Sequence, residues 1–274
     1  MSLYVNTNTS SINSQRQLAK STKALDSSYQ KLSSGFRINS AKDDAAGLQI
    51  SDRMTAQING LTQGNRNAND GISFAQTAEG ALDEVTNMLQ RMRTLAVQSV
   101  NGTNSADERQ SLSEEADQLQ AEIGRIGSQT KFGKNLDVFS TNTAFTLQVG
   151  AYSGNTITFG TKAMTAVLNV ASVTAMALSI STGAAAAISK LDDMIKNVDS
   201  YRATLGAVQN RLESSISNQE NVIENVSDAR SRIRDVDYAS ETAKMTQQSI
   251  LQQASTSILS QANMKSQIAL SLLG

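Results

Sequence analysis

The chain has 274 residues, 24 of them basic and 25 acidic, a net charge of −1, and no Cys, His or Pro. Disulfides, thiolate or imidazole metal sites and Cys or His catalysis are therefore excluded, and no whole-molecule field draws in nucleic acid or anionic membrane. The missing prolines, where roughly 14 would be usual at about 5% of residues, permit very long uninterrupted helices.

Residues 1–15 carry no charge, and beyond Lys244 the only charge is Lys265. Both ends nevertheless read as amphipathic helices. Ile12, Ala19, Leu25, Tyr29 and Leu32 form one stripe near the N-terminus. Near the C-terminus Leu251, Ala254, Ile258, Ile268 and Leu272 form another, widened by Leu259, Ala262, Ala269 and Leu273. The remaining surface is Ser, Gln, Asn and Thr. A membrane-surface helix would need a basic face, which neither end has, so burial against copies of the same chain is the expected use. No basic-then-apolar leader is visible at Met1–Ser10.

Between Met54 and Ala96 positions 54, 58, 61, 65, 68, 72, 75, 78, 82, 85, 89, 92 and 96 step by threes and fours, and all but Asn65 are apolar. This predicts one long helix. Asn101-Gly102-Thr103-Asn104 breaks it. Ser105 to Glu108 forms a capping box, and Leu112, Ala116, Leu119, Ile123 and Ile126 stripe the next helix. The period then changes to two over 144–149 and 156–159, with Tyr152-Ser153-Gly154-Asn155 as turn chemistry, so a β-hairpin is predicted. Residues 162–182 have weak periodicity. The uncharged run Ala163–Ser189 holds too many Ser, Thr, Asn and Gly residues for a membrane span. From Ile188 to Ile233 threes and fours resume on 188, 191, 195, 198, 202, 205, 209, 212, 216, 219, 223, 226, 230 and 233, interrupted by Arg202, Gln209, Gln219 and Arg230. Helices of this length imply coiled-coil-like packing.

Asp43 and Asp44 are adjacent. On a helix they diverge by about 100°, which suits charge complementation at a helix start better than acid–base work. Glycines 47, 60, 64, 71 and 80 do not form a phosphate-binding loop; close helix approach and local helix breaks are both open for them. Leu89, Met92 and Ala96 serve the stripe, which leaves Arg91 and Arg93 as solvated charges. Asn8-Thr9-Ser10 and Asn101-Gly102-Thr103 match the N-glycosylation pattern by chance.

Several segments together resemble bacterial flagellins: Leu32–Gly47, Gly60–Gln63, Arg66–Ser73, Leu89–Ser99, Ser227–Asp237, Gln261–Asn263 and Leu270–Gly274. The resemblance covers roughly 1–140 and 180–274. It implies a mainly α fold: a long coiled-coil-like rod, a small β-hairpin, and paired N- and C-terminal helices. Residues 1–43 and 234–274 would form the inner core of a filament. Residues 44–233 would form the rod, with the hairpin at about 144–160 and a short variable region at about 161–182. Outer domains are usually inserted where this chain has only about forty residues, so a minimal flagellin is expected.

The implied function is that of a structural subunit, not an enzyme and without cofactor or metal, which self-assembles outside the cell into the flagellar filament for motility. Polymerisation would rest on Ile12, Leu25, Leu32, Leu251, Ile258, Ile268 and Leu272, and subunit contacts on Arg37, Asn39, Asp43 and Asp44. By the same resemblance the partners are further copies, the flagellar export apparatus, a C-terminal export chaperone, and filament cap and junction proteins; nucleic acid and membrane are not among them. In similar flagellins the surface matching Gln90, Arg91, Leu95 and Glu115 binds Toll-like receptor 5, although this chain has Thr94 where many members have Glu. A hook–filament junction protein and a helical-hairpin signalling protein are the alternative readings.

Overall fold

A computed structural model describes residues 7–134, 136–139, 144–168 and 181–271. In chain order the elements are α1 (Thr9–Ser34), α2 (Ala45–Val100), α3 (Ala106–Gln129), β1 (Lys131–Phe132), β2 (Leu136–Asp137), β3 (Ala144–Gln148), β4 (Thr156–Gly160), α4 (Met164–Leu168), α5 (Ser181–Arg234) and α6 (Tyr238–Ser271). They fall into two compact units, one formed by residues 1–56 and 224–274, the other by 57–223. No described helix is long and apolar enough to cross a membrane.

The 57–223 unit is built on the threes-and-fours pattern. Leu61, Ala68, Ala75, Ala78, Leu82, Val85, Leu89, Met92 and Ala96 of α2, all on the counted stripe, are buried. On α5 the buried seam is Ala184, Ala187, Leu191, Met194, Val198, Tyr201, Leu205, Val208 and Leu212, again alternating steps of three and four. This corrects the stripe read from the sequence: Met194, Tyr201 and Val208 are core, while their neighbours Ile195, Arg202 and Gln209 sit at its edge. Two of the four polar interruptions, Arg202 and Gln209, thereby move to the edge, whereas Gln219 stays buried at 6% exposure. Arg202 pairs with Asp83 at 3.1 Å, and the Gln209 amide donates to Glu79 at 3.0 Å. A heptad seam needs an apolar residue at only two positions in seven, so flanking positions can hold long polar side chains that cover it.

Helix α3 starts at the expected capping box: the Ser105 hydroxyl accepts from the Glu108 N–H at 3.3 Å, and the Glu108 carboxylate accepts from the Ser105 N–H at 2.7 Å. The latter bond holds the Glu108 carboxyl below its ordinary pKa. Strands β3 and β4 pair antiparallel with Phe145 opposite Phe159 and Leu147 opposite Ile157. Their Thr146 and Thr158 neighbours are exposed on the other face, the alternation expected of a half-buried hairpin. Phe74 of α2 anchors that hairpin, with ring centroids 5.1 Å from Phe145 and 5.7 Å from Phe159. The short β1–β2 pair, with Gly133 at φ +71°, is additional to the sequence expectation. Within 162–182 the structure has α4, which buries Met164, Val167 and Leu168, and the first two residues of α5. Residues 169–180 lie outside the described residues.

The glycine question resolves toward close approach. Helix α2 runs unbroken through all of them, and a Cβ at Gly60 would stand 2.8 Å from the Ala151 Cβ. At Gly64 it would press on the Val149 carbonyl. The hairpin turn thus lies directly on α2 backbone, tied there by the Asn67 amide donating to Gln148 O at 2.8 Å. Gly80 has open space around it.

Candidate assembly interface

In the unit formed by residues 1–56 and 224–274, α1 and α6 lie side by side, antiparallel and in close backbone contact. The reason is the size of the seam residues. On α1 these are Ser11, Ser14, Leu18, Ser21, Leu25, Ser28 and Leu32, a heptad alternation in which Ser21 is 2% exposed. Facing them on α6 are Glu241, Met245, Gln248, Gln252, Ser255, Leu259 and Ala262. Hydroxyls and amides zip the two together. Ser11 Oγ bonds to Asn263 Oδ1 at 2.9 Å, Gln252 Nε2 donates to Thr22 Oγ1 at 3.2 Å, and Asn8 Nδ2 donates to Ala262 O at 2.8 Å. Ser28 Oγ donates to Glu241 Oε1 at 2.7 Å. That bond, with Lys244 at 3.4 Å, holds the Glu241 carboxyl below its ordinary pKa although the residue is only 6% exposed.

A serine seam buries little apolar area, and at roughly 25 cal/mol per Å² of apolar surface it stabilises the pair weakly. The large apolar residues lie elsewhere. Ile12 and Tyr29 of α1 are 56% and 55% exposed, and Ile250, Leu251, Ile258 and Met264 of α6 are also exposed. Of the residues expected to carry polymerisation, Leu25 is in the seam, Leu32 is half-buried, and Ile12, Leu251 and Ile258 face out. The side chains of Ile268 and Leu272 lie outside the described residues. Counting only large apolar residues finds Leu25 and Leu32 but misses the serines that make up the rest of the α1 seam. Serines recurring every seven residues at 14, 21 and 28 were the available signal.

The connections at the base of this pair contain Arg37, Asn39, Asp43 and Asp44. Helix α1 ends at Gly35, φ +75°, where a Cβ would come within 3.0 Å of the Tyr238 hydroxyl. The chain then pairs with the α5–α6 connection. Phe36 bridges to Asp235, and the Arg37 N–H donates to Arg234 O at 2.6 Å. The Arg37 guanidinium donates to Ile233 O at 2.6 Å, and the Arg234 guanidinium lies 4.4 Å from the Phe36 ring centroid. Asn39 Nδ2 donates to Gln30 O at 3.2 Å. Asp43 Oδ2 accepts the N–H groups of Asn39 and Ser40, each at 3.1 Å, and those backbone bonds lower its carboxyl pKa. Asp44 Oδ1 accepts from the Gly47 N–H at 2.9 Å at the start of α2. All four residues thus have work within the chain, holding one connection against the other.

On the other unit, Arg91 and Arg93 are paired instead of simply solvated. Arg91 donates through Nε and a terminal nitrogen to Glu115 Oε1 at 2.8 and 2.6 Å, and Arg93 Nε donates to Asp192 Oδ1 at 2.6 Å. Gln90 is exposed beside them, whereas Leu95 is 1% exposed and belongs to the helical core. Among the described residues no group of His, Cys, Asp and Glu is arranged to hold a metal ion.

Comparison with known proteins places these features. Residues 5–142 match the bacterial flagellin N-terminal helical region, and residues 188–273 match the bacterial flagellin C-terminal helical region. Flagellin A of Vibrio cholerae is 56% identical over 160 residues, 58% of this chain and 42% of the relative. The chain thus spans about two-fifths of the length of that relative. The crystal structure of Bacillus cereus flagellin is 33% identical with a TM-score of 0.51, covering 56% of this chain and 88% of that one. A putative flagellar hook-associated protein from Vibrio parahaemolyticus shares the fold at a TM-score of 0.58 and 14% identity, covering 72% of this chain and 99% of that one. The two matching regions together span most of the sequence, and the chain belongs to the bacterial flagellin family.

Proposed function

We propose that this chain is a structural subunit that self-assembles into a flagellar filament outside the cell. One observation carries the reading. The α1–α6 pair closes on serines while Ile12, Leu251 and Ile258 remain turned to solvent. A monomer gains nothing from that arrangement, whereas a polymer buries those side chains between copies. Repeated heterologous contacts that do not close would extend the assembly as a helix, and each added subunit would stabilise its neighbours' α1–α6 pairs by mass action. In this reading residues 1–43 and 234–274 line the filament core and 44–233 form the surrounding rod. Arg37, Asn39, Asp43 and Asp44 set the connections from which the paired ends project.

The finer partners follow the family reading: an export apparatus passing the unfolded chain, a chaperone for the C-terminal segment, and cap and junction proteins at the filament ends. Recognition by Toll-like receptor 5 would use Gln90, Arg91 and Glu115, with Leu95 acting through the core behind them. Polymerisation tests the central reading. Purified chain added to sonicated filament seeds should grow long uniform filaments in electron microscopy. A chain lacking residues 248–274 should grow none while keeping most of its helical circular dichroism. Filaments from the shortened chain would overturn the role given to the C-terminal helix.

A further inference from the structure

The sequence contains the dipeptide Asn-Gly twice, at Asn59-Gly60 and Asn101-Gly102. Both asparagine side chains are exposed, so solvent access does not separate them. Their backbones do. Asn59-Gly60 lies deep inside α2, where the Gly60 N–H is committed to the helical ladder and the Gly60 Cα is pressed against Ala151. Asn101-Gly102 lies just past the end of α2, in the turn before α3. There Asn101 N–H donates to Gln98 O at 3.1 Å and Asn101 O accepts from Asn104 N–H at 3.3 Å, but the Gly102 N–H makes no hydrogen bond among the described residues. A Cβ on Gly102 would meet nothing within 4 Å.

Succinimide formation needs a backbone nitrogen free to approach the preceding side-chain carbonyl carbon. It is fastest where the following residue has no side chain to obstruct that approach. We propose that Asn101 is a site of spontaneous deamidation, converted through a succinimide to aspartate and isoaspartate, while the identical pair at Asn59 is protected by its helix. The Gly102 nitrogen attacks Asn101 Cγ and a C–N bond forms. The Cγ–Nδ2 bond breaks, and ammonia leaves with the proton lost from the Gly102 nitrogen. Water then opens the ring at either carbonyl, so no electrons are transferred and water is the only co-reactant.

The product matters because of what surrounds it. Arg109 donates from Nε to Ser99 O at 2.9 Å and from a terminal nitrogen to Asn101 O at 3.2 Å, tying α3 back to the end of α2. Isoaspartate would turn the Asn101 carbonyl that Arg109 bonds into a free α-carboxylate and carry the main chain on to Gly102 through an extra methylene. Both products add a negative charge at a helix C-terminus, where the helix dipole opposes it.

The test is to hold the purified full chain in warm, mildly alkaline, ammonia-free buffer and follow the tryptic peptides 54–66 and 94–109 by tandem mass spectrometry. The native chain should convert at Asn101 at least about tenfold faster than at Asn59, the factor set by the local opening the helix must undergo. In denaturant the two sites should convert at similar rates. Gly102→Ala should abolish the native signal at Asn101 and leave Asn59 unchanged. Equal native rates at the two sites would overturn the proposal, as would conversion of Asn101 in denaturant alone or an undiminished signal in Gly102→Ala.

Discussion

The outward-facing Ile258 offers the most direct measure of what the proposed assembly would bury. It is 54% exposed in the isolated chain, so about half of its side chain is still available to a neighbour. Full burial of an isoleucine side chain contributes about 1.5–3 kcal/mol, so the remaining half is worth about 0.75–1.5 kcal/mol per subunit. Ile258→Ala should then raise the critical concentration for seeded polymerisation about threefold to tenfold, at about 1.4 kcal/mol per tenfold. Ile258→Asp adds the cost of burying an unpaired carboxylate, several kcal/mol more, and filaments should vanish at any practical concentration. The half of Ile258 already covered within the chain is worth no more than the exposed half, so monomer stability should fall by at most about 1.5 kcal/mol in either variant. The assay is sedimentation of seeded polymer against total concentration, with circular dichroism melts of the same samples. An Ile258→Asp chain that is folded and polymerises at the unaltered critical concentration would refute the reasoning.

Three further outcomes test the internal packing. Met194→Ala should lower stability by about 2–4 kcal/mol, read as a urea midpoint, and Ile195→Ala by less than half of that; the reverse order would restore the sequence-derived stripe. Gly64→Ala should cost about 1–3 kcal/mol because the new methyl meets the Val149 carbonyl, while Gly80→Ala, in open space, should gain about 0.5–1 kcal/mol in the same measurement. The Glu241 carboxyl is held below its ordinary pKa by Ser28 first and Lys244 next, with Lys31 adding a positive field, so its contribution is present above the ordinary glutamate range and is lost as pH falls through the lowered value. Glu241→Gln should therefore flatten the acid limb of the thermal-stability profile, and unchanged slopes in the two chains would remove Glu241 from that role.

Much of this architecture is legible in the residues. The α2 stripe, the Ser105 box and the existence of the hairpin follow from spacing alone, because each depends on neighbours within a few residues. The α5 seam does not, since threes and fours fit two adjacent stripes. The choice between Met194 and Ile195 is made by the partner helix. The α1–α6 seam is only partly caught by a hydrophobic count, which finds Leu25, Leu32, Leu259 and Ala262 but not the serines between them. Gly60 and Gly64 could not be assigned without knowing that a turn at 149–151 would rest on them. Leu95 illustrates the converse, a residue expected at a recognition surface that the helical period carries into the core.

The bond from Asn8 to Ala262 joins residues 254 apart in the chain. Closing a loop of that size from a disordered chain costs about 5 kcal/mol of entropy, which hydrogen bonds among serines and amides repay poorly. The α1–α6 pair is therefore poised to form late, after local helices have shortened the effective loop. Contact order here works as a timer. In the export proposed above, a chain still threading through a narrow passage would have no early reward for joining its distant segments, and that reward would arrive only once both are present together beside an existing surface.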